Sequence, residues 1–128
     1  MVAAGAAICA IAALIHVYIF VLESLSWTSP KTRALFGTTA EQAEATRELA
    51  YNQGFYNLFL AVEIAVGVVV LAVGDEAIGA TLVLAGAASM VAAGVVLLAS
   101  SPDKASAALK QLVPPLAGIA LLVVGLVA

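Results

Sequence analysis

The ionisable and amide side chains that could do chemistry are concentrated in two apolar segments of the chain. His16 and Glu23 lie in the first segment, and Asn52, Tyr56 and Glu63 lie in the second. An ionisable group at the centre of a bilayer costs on the order of 3 kcal/mol, so such groups usually have a function or a partner. A histidine beside a glutamate can share a proton, which suits an acid–base couple or a proton relay.

Helical spacing brings these side chains into two stripes, at about 100° per residue. The first stripe comprises His16, Phe20, Glu23 and Trp27, and the second comprises Asn52, Tyr56 and Glu63, with Gln53 and Asn57 on its flank. If Trp27 and Asn52 lie at one level, His16 and Glu63 both lie about 16 Å further in. We therefore predict a deep layer that pairs His16 with Glu63. A shallow layer is predicted to join Glu23 with Asn52, Gln53 and Tyr56.

The last apolar segment contributes an amide and two prolines, Gln111, Pro114 and Pro115. We expect Gln111 to close the shallow layer. A proline pair frees backbone carbonyls and can kink a helix. Those carbonyls could face a cavity, or the kink could simply fit the shape of the bundle.

The composition requires a membrane to position these residues. The chain has 128 residues, of which 64% are hydrophobic and 10% charged, whereas a soluble domain carries roughly a quarter charged residues. Crossing the hydrocarbon layer takes about 20 apolar residues of helix. Four segments meet that demand, at about 2–26, 48–73, 77–100 and 105–128. We predict an all-α fold, in which residues 1–128 form a single transmembrane domain, a four-helix bundle.

The polar first loop predicts a short helix and an orientation. Ser29-Pro30 is typical of a helix start, and Gly37 of its end. A second helix is predicted to start with a capping box at Thr38-Thr39-Ala40-Glu41 and to continue into the second membrane segment. The basic residues lie on or next to the first and third loops: Lys31, Arg33, Arg47, Lys104 and Lys110. Basic loops favour the cytoplasm, so we predict a multi-pass protein of the cell membrane, with the first loop cytoplasmic and both termini outside.

The third segment carries two rows of mostly small residues. One row contains Gly86, Met90 and Gly94, and the other contains Ala85, Ser89 and Ala93. Small residues four apart let helix backbones approach closely in lipid. The rows therefore indicate either packing within the bundle, which we favour, or a homo-oligomer.

Several classes of function are excluded by what the chain lacks. The formal net charge is −3 and there is no basic stripe, which excludes nucleic acid as a partner. Cys9 is the only cysteine and His16 the only histidine, so we expect neither a disulfide nor a metal or cofactor site.

The motifs in the first half of the chain resemble those of a known family. They are His16-Val17-Tyr18-Ile19-Phe20-Val21-Leu22-Glu23, Trp27-Thr28-Ser29-Pro30, Phe36-Gly37 and Asn52-Gln53-Gly54-Phe55-Tyr56-Asn57. The chain is similar, over essentially its whole length, to the small membrane proteins of domain of unknown function family 1304. That resemblance implies four spans and carries no established activity.

Three functions fit the polar residues. The first is a binding or transport protein, whose polar pocket takes a small or lipid-like ligand and opens to the cytoplasm. Its candidate ligand-binding or proton-relay residues are His16, Phe20, Glu23, Trp27, Asn52, Gln53, Tyr56, Asn57, Glu63 and Gln111. The second is a membrane-embedded enzyme, an isomerase that uses the His–Glu couple on a hydrophobic substrate. The third is a structural or accessory subunit in which the polar groups only join helices.

Overall fold

The computed structural model describes all 128 residues, and nearly all of them are helical. Its helices are α1 (Val2–Phe20), continued by a π-helical turn (Val21–Leu25), α2 (Pro30–Phe36), α3 (Ala40–Ala45), α4 (Arg47–Val73), α5 (Glu76–Ser100) and α6 (Ala105–Val127), the last preceded by a 3₁₀ turn (Pro102–Lys104). No strand is present. Four helices are long and apolar enough to cross a membrane, namely α1 with its π turn, α4, α5 and α6.

The four long helices form a closed ring in chain order. Helix α1 packs against α4 and α6, and α5 packs against the same two helices. Short loops join α4 to α5 and α5 to α6, which makes these neighbours antiparallel. The first and third loops therefore lie at one end of the bundle, called the loop end below. Which side of the membrane this end faces stays a prediction from the basic residues.

Glycines let the backbones of α1 and α6 touch. A Cβ atom on Gly5 would lie 2.7 Å from Leu122 Cα and 2.9 Å from the Gly118 carbonyl oxygen. A Cβ atom on Gly118 would lie 3.0 Å from the Cys9 backbone nitrogen. Such close approach is how apolar helices gain van der Waals contact in lipid, where the hydrophobic effect between them is absent.

The two rows of small residues on α5 have different surroundings. Gly86, Met90 and Gly94 are buried, and Cβ atoms on the two glycines would meet Ile64 of α4 and Leu112 of α6. This row serves packing within the bundle. Ala85, Ser89 and Ala93 are exposed on the outer surface of the helix.

The first loop forms two short helices. The Ser29 side chain caps α2 by accepting from Thr32 N at 3.2 Å, and Gly37 ends that helix with φ of 67°. Helix α3 is capped by Thr39 with Gln42 in reciprocal hydrogen bonds, so the predicted capping box lies one residue too early. The prediction that α3 continues into α4 is wrong, because the chain breaks at Thr46.

Candidate functional site at the loop end

The π-helical turn that ends α1 places Glu23 beside α4. The Ser26 hydroxyl donates to the Val21 carbonyl at 3.2 Å, and regular helix ends at this residue. Single π turns inside or at the end of helices occur frequently at functional sites. Glu23 lies within the turn and is half-buried.

Gly54 of α4 makes room for this turn. A Cβ atom on Gly54 would collide with Ser24 Oγ and would lie 3.1 Å from Glu23 Cβ. The Ser24 hydroxyl donates to the Tyr51 carbonyl at 2.7 Å. The glycine and the serine thus join the end of α1 to the beginning of α4.

Asn57 is the hydrogen-bond partner of Glu23. Its Nδ2 donates to Glu23 Oε2 at 2.9 Å and also to the Gln53 carbonyl at 3.2 Å. The shallow layer was predicted at about this level, with Glu23 opposite Tyr56. The predicted depth of Glu23 along α4 agrees with the structure. Its hydrogen-bond partner, however, is Asn57, the residue that follows Tyr56.

A half-open cleft of about 510 Å³ lies at this point between the end of α1 and the beginning of α4. It is lined by Glu23, Ser24, Leu25, Trp27, Thr28, Arg47, Glu48 and Tyr51. This volume is within the range of small-molecule sites, which is roughly 300–1,000 Å³. We call it the loop-end cleft.

Trp27 forms a fixed wall of the cleft. Its Nε1 donates to Thr46 Oγ1 at 3.1 Å, and its ring packs edge-on against Phe36 with centroids 4.9 Å apart. Tyr51, on the opposite wall, packs against Phe55, whose ring also contacts Phe20 at 5.1 Å. Both aromatic walls are therefore held by neighbours outside the cleft.

The other predicted members of the shallow layer make no hydrogen bond with Glu23. Asn52 donates to the Glu48 carbonyl at 2.9 Å on its own helix. Gln53 is exposed without a side-chain hydrogen bond, and Tyr56 is 66% exposed. Of the polar residues predicted on α4, only Asn57 meets the side chain of Glu23.

The predicted deep pair does not form. His16 is 2% exposed and its Nδ1 is bonded to the Ala12 carbonyl oxygen at 2.9 Å, while the only ion pair in the chain is Arg47–Glu44. Ala61 lines a groove with residues of α1, and Glu63 lies about 160° from Ala61 around the helix. The depth of Glu63 matches that of His16, but its side chain is on the wrong face.

Gln111 lies deeper than predicted. Gly118 of α6 meets Cys9 of α1, and two turns further along each helix the same faces carry Gln111 and His16. Gln111 therefore lies at the level of His16, is half-buried and makes no side-chain hydrogen bond. Pro114 and Pro115 lie within an uninterrupted α6.

Six cleft residues were not among the sequence candidates: Ser24, Leu25, Thr28, Arg47, Glu48 and Tyr51. From the sequence, Arg47 contributed only to the prediction that the first loop is cytoplasmic. The run Arg47–Tyr51 begins the second membrane segment directly opposite the Glu23 end of the first. Because the two segments are antiparallel, this position in the sequence could have indicated that these residues lie near Glu23.

We expect Gly54 and Ser24 to be energetically coupled. Gly54→Ala should destabilise the bundle by about 1–2 kcal/mol, because the new methyl group overpacks the contact with Ser24 Oγ. In a Ser24→Ala background the same change should cost clearly less, since the colliding oxygen is gone. A double-mutant cycle of unfolding free energies in detergent measures this coupling. Strictly additive effects would contradict the close approach at this point.

The residues of the chain do not suggest a metal centre. No group of three or more His, Cys, Asp or Glu side chains is placed to hold a metal ion. The chain matches the family model described as "Protein of unknown function (DUF1304)" over residues 10–123. Neither the curated proteins nor the solved structures contain a match to this chain.

Proposed function

The chain belongs to the DUF1304 family, and from its loop-end cleft we propose that it is a membrane binding protein for an amphiphile with a positively charged head group. The carrying observation is that the half-buried side chain of Glu23, held by Asn57, lines a half-open cleft together with Trp27 and Tyr51. The head group would lie in the cleft and the apolar part would extend along the bundle surface.

The charges around the cleft favour a cation. Glu23 and Glu48 contribute two carboxylates, and Arg47 contributes one guanidinium. The Arg47 side chain is already paired at 3.3 Å with Glu44, which is not a lining residue. The lining therefore has an excess of negative charge, which attracts an ammonium group more than a phosphate or a carboxylate.

The aromatic walls favour the same ligand class. Trp27 and Tyr51 both line the cleft, and a cation that binds over an aromatic ring gains about 0.5–2 kcal/mol. Because both rings are fixed by neighbouring side chains, less conformational entropy is lost on binding.

The apolar part of the ligand has a surface to follow. Leu25 lines the cleft and is 66% exposed. Closer to the middle of the bundle, a groove of about 290 Å³ between α1 and α4 is lined only by apolar residues. An alkyl chain leaving the cleft could lie against these surfaces and the surrounding lipid.

The enzyme hypothesis required His16 and Glu63 to act as an acid–base couple. These two side chains form neither a hydrogen bond nor an ion pair with each other, so that hypothesis has less support. The structural alternative keeps one supporting observation, the Asn57–Glu23 hydrogen bond between two helices. The two hypotheses make different predictions. The structural hypothesis predicts that the charge of Glu23 has no effect on ligand binding, whereas the binding proposal predicts that it does.

Trp27 provides the test, because it is the only tryptophan of the chain. Purified protein in a neutral maltoside detergent is titrated with dodecyltrimethylammonium while tryptophan fluorescence is recorded. We expect a saturable change. Dodecyl sulfate, which has the same chain and the opposite charge, should produce none at equal concentration. Equal responses to both amphiphiles, or no saturation with either, would count against a cation site.

A further inference from the structure

We propose that two copies of this chain associate in the membrane through an outer face formed by α4 and α5. This α4–α5 outer face consists of Tyr56 and Glu63 of α4 and of Ala85, Ser89 and Ala93 of α5. The proposal is independent of the ligand proposed for the loop-end cleft.

Glu63 is the feature that requires a partner. It lies ten residues before Val73, where α4 ends, which places it about 15 Å into a hydrocarbon layer about 30 Å thick. Its side chain is only half-buried and has no hydrogen bond or ion pair within the chain. A carboxyl group at the bilayer centre is costly unless another group satisfies it.

The packing of α4 shows which way Glu63 faces. Gly67 is in contact with α5, since a Cβ atom there would meet Val83 and Leu82. Glu63 lies about 40° from Gly67 around α4 and about 160° from Ala61, which lies on the side of α1. The carboxyl group is therefore beside α5, on the outer surface of the bundle.

The row of small residues on α5 lies next to this carboxyl group. Gly86 faces α4 and Gly94 faces α6. Ser89 lies about 60° from Gly86, on the side away from Gly94, and Ala85 and Ala93 flank it. Since Gly86 meets Ile64, Ser89 and Glu63 are within about one turn of the same depth.

Small side chains beside an unsatisfied carboxyl group favour the close approach of another helix. The row on α5 has only methyl and hydroxymethyl side chains, so a second backbone can come near. The Ser89 hydroxyl donates only to the Ala85 carbonyl of its own helix, at 2.8 Å. It can turn to donate to a carboxylate on a partner.

Self-complementarity favours a second copy of the chain as that partner. Copies inserted in the same orientation are related by a two-fold axis along the membrane normal, which brings residues of equal depth together. Across such an axis the Ser89 hydroxyl of each copy can donate to the Glu63 carboxyl group of the other copy, so the contact forms twice. Donor and acceptor are thus both present on one face, and no basic partner is required.

Cysteine cross-linking in membranes tests this proposal. The wild type is a control, because its one cysteine, Cys9, is 0% exposed. On mild oxidation we expect Ala85→Cys, which leaves Ser89 and Glu63 unchanged, to give a disulfide-linked dimer as the main product. Val62→Cys, which is within about one turn of the same depth but on the α1 side of α4, should remain monomeric.

Further variants separate association from folding. Ser89→Leu in the Ala85→Cys background should abolish the dimer without lowering the melting temperature, because Ser89 is exposed in the single chain and its hydroxyl bonds only to its own helix. Glu63→Leu should also reduce the dimer, whereas Glu63→Gln, which keeps a polar side chain, should retain it. Equal cross-linking at Ala85 and Val62, a dimer that tolerates Ser89→Leu, or cross-linking of Ala85→Cys to a different protein would overturn the proposal.

Discussion

Replacing Gly5 by leucine is expected to destabilise the bundle by about 3 kcal/mol, the upper end of the usual cost of overpacking. The new side chain would meet the backbone of Leu122 and the carbonyl oxygen of Gly118. Backbone atoms cannot move aside by changing a rotamer, so α1 and α6 would have to separate. The gain in helix propensity from removing a glycine is about 1 kcal/mol and is smaller than this loss.

The measurement is the free energy of unfolding in a detergent of fixed composition, compared with the wild type. Ala4→Leu is the matched control, because Ala4 neighbours Gly5 on α1 and is exposed. It adds a leucine to the same turn of helix without entering the α1–α6 contact. Equal stabilities of the two variants would show that the helices do not approach each other at Gly5.

Glu23→Gln is expected to weaken the binding of dodecyltrimethylammonium by about tenfold or more. The probe has no N–H, so its attraction to Glu23 is electrostatic and is worth about 1–4 kcal/mol for charges roughly 4 Å apart; every 1.4 kcal/mol is a factor of ten in affinity. The glutamine keeps an oxygen that can accept from Asn57 Nδ2, so the bond between the helices is preserved. The loss should therefore appear in binding and not in the melting temperature.

The fluorescence titration of Trp27 measures this change, and Glu76→Gln serves as its control. Glu76 begins α5 at the end of the bundle opposite the cleft, and its replacement alters the net charge by the same amount. An equal loss of affinity in both variants would mean that the probe responds to overall charge and not to the cleft. A loss of stability without a loss of affinity in Glu23→Gln would favour the structural alternative.

Hydropathy and the residues typical of helix ends were enough to predict the four long helices. The predicted membrane segments begin and end within about three residues of α1 with its π turn, α4, α5 and α6. Gly74 and Asp75 mark one boundary because they supply a left-handed residue and an N-cap. The depth of Glu23 against α4 was predicted to within one residue, because Trp27 and Asn52 were placed at one level where the two membrane segments meet the first loop.

The faces of α4 could not be predicted from its polar residues. The stripe of Asn52, Tyr56 and Glu63 was expected to face α1, but Gly54 and Ala61 do so instead. In lipid, small residues decide which face packs, because apolar side chains gain nothing by leaving the hydrocarbon. A polar stripe therefore does not have to face the inside of its own bundle.

The π-helical turn at the end of α1 had no sequence signal. Its geometry depends on the contact of Ser24 with Gly54 and on the Ser24–Tyr51 hydrogen bond, both of which join distant parts of the chain. The loop-end cleft follows from this turn and from the position of Trp27 against Thr46. Its lining could be identified only after the helices were placed.

Native mass spectrometry of the protein released from gentle detergent tests the central claim most directly. We expect the wild type to retain a discrete adduct whose fragments contain a cationic nitrogen, as an amine or a quaternary ammonium group, and Glu23→Gln to lose it while Glu76→Gln keeps it. An adduct held equally by all three proteins, or a head group that is only anionic, would contradict a cation-binding cleft at Glu23.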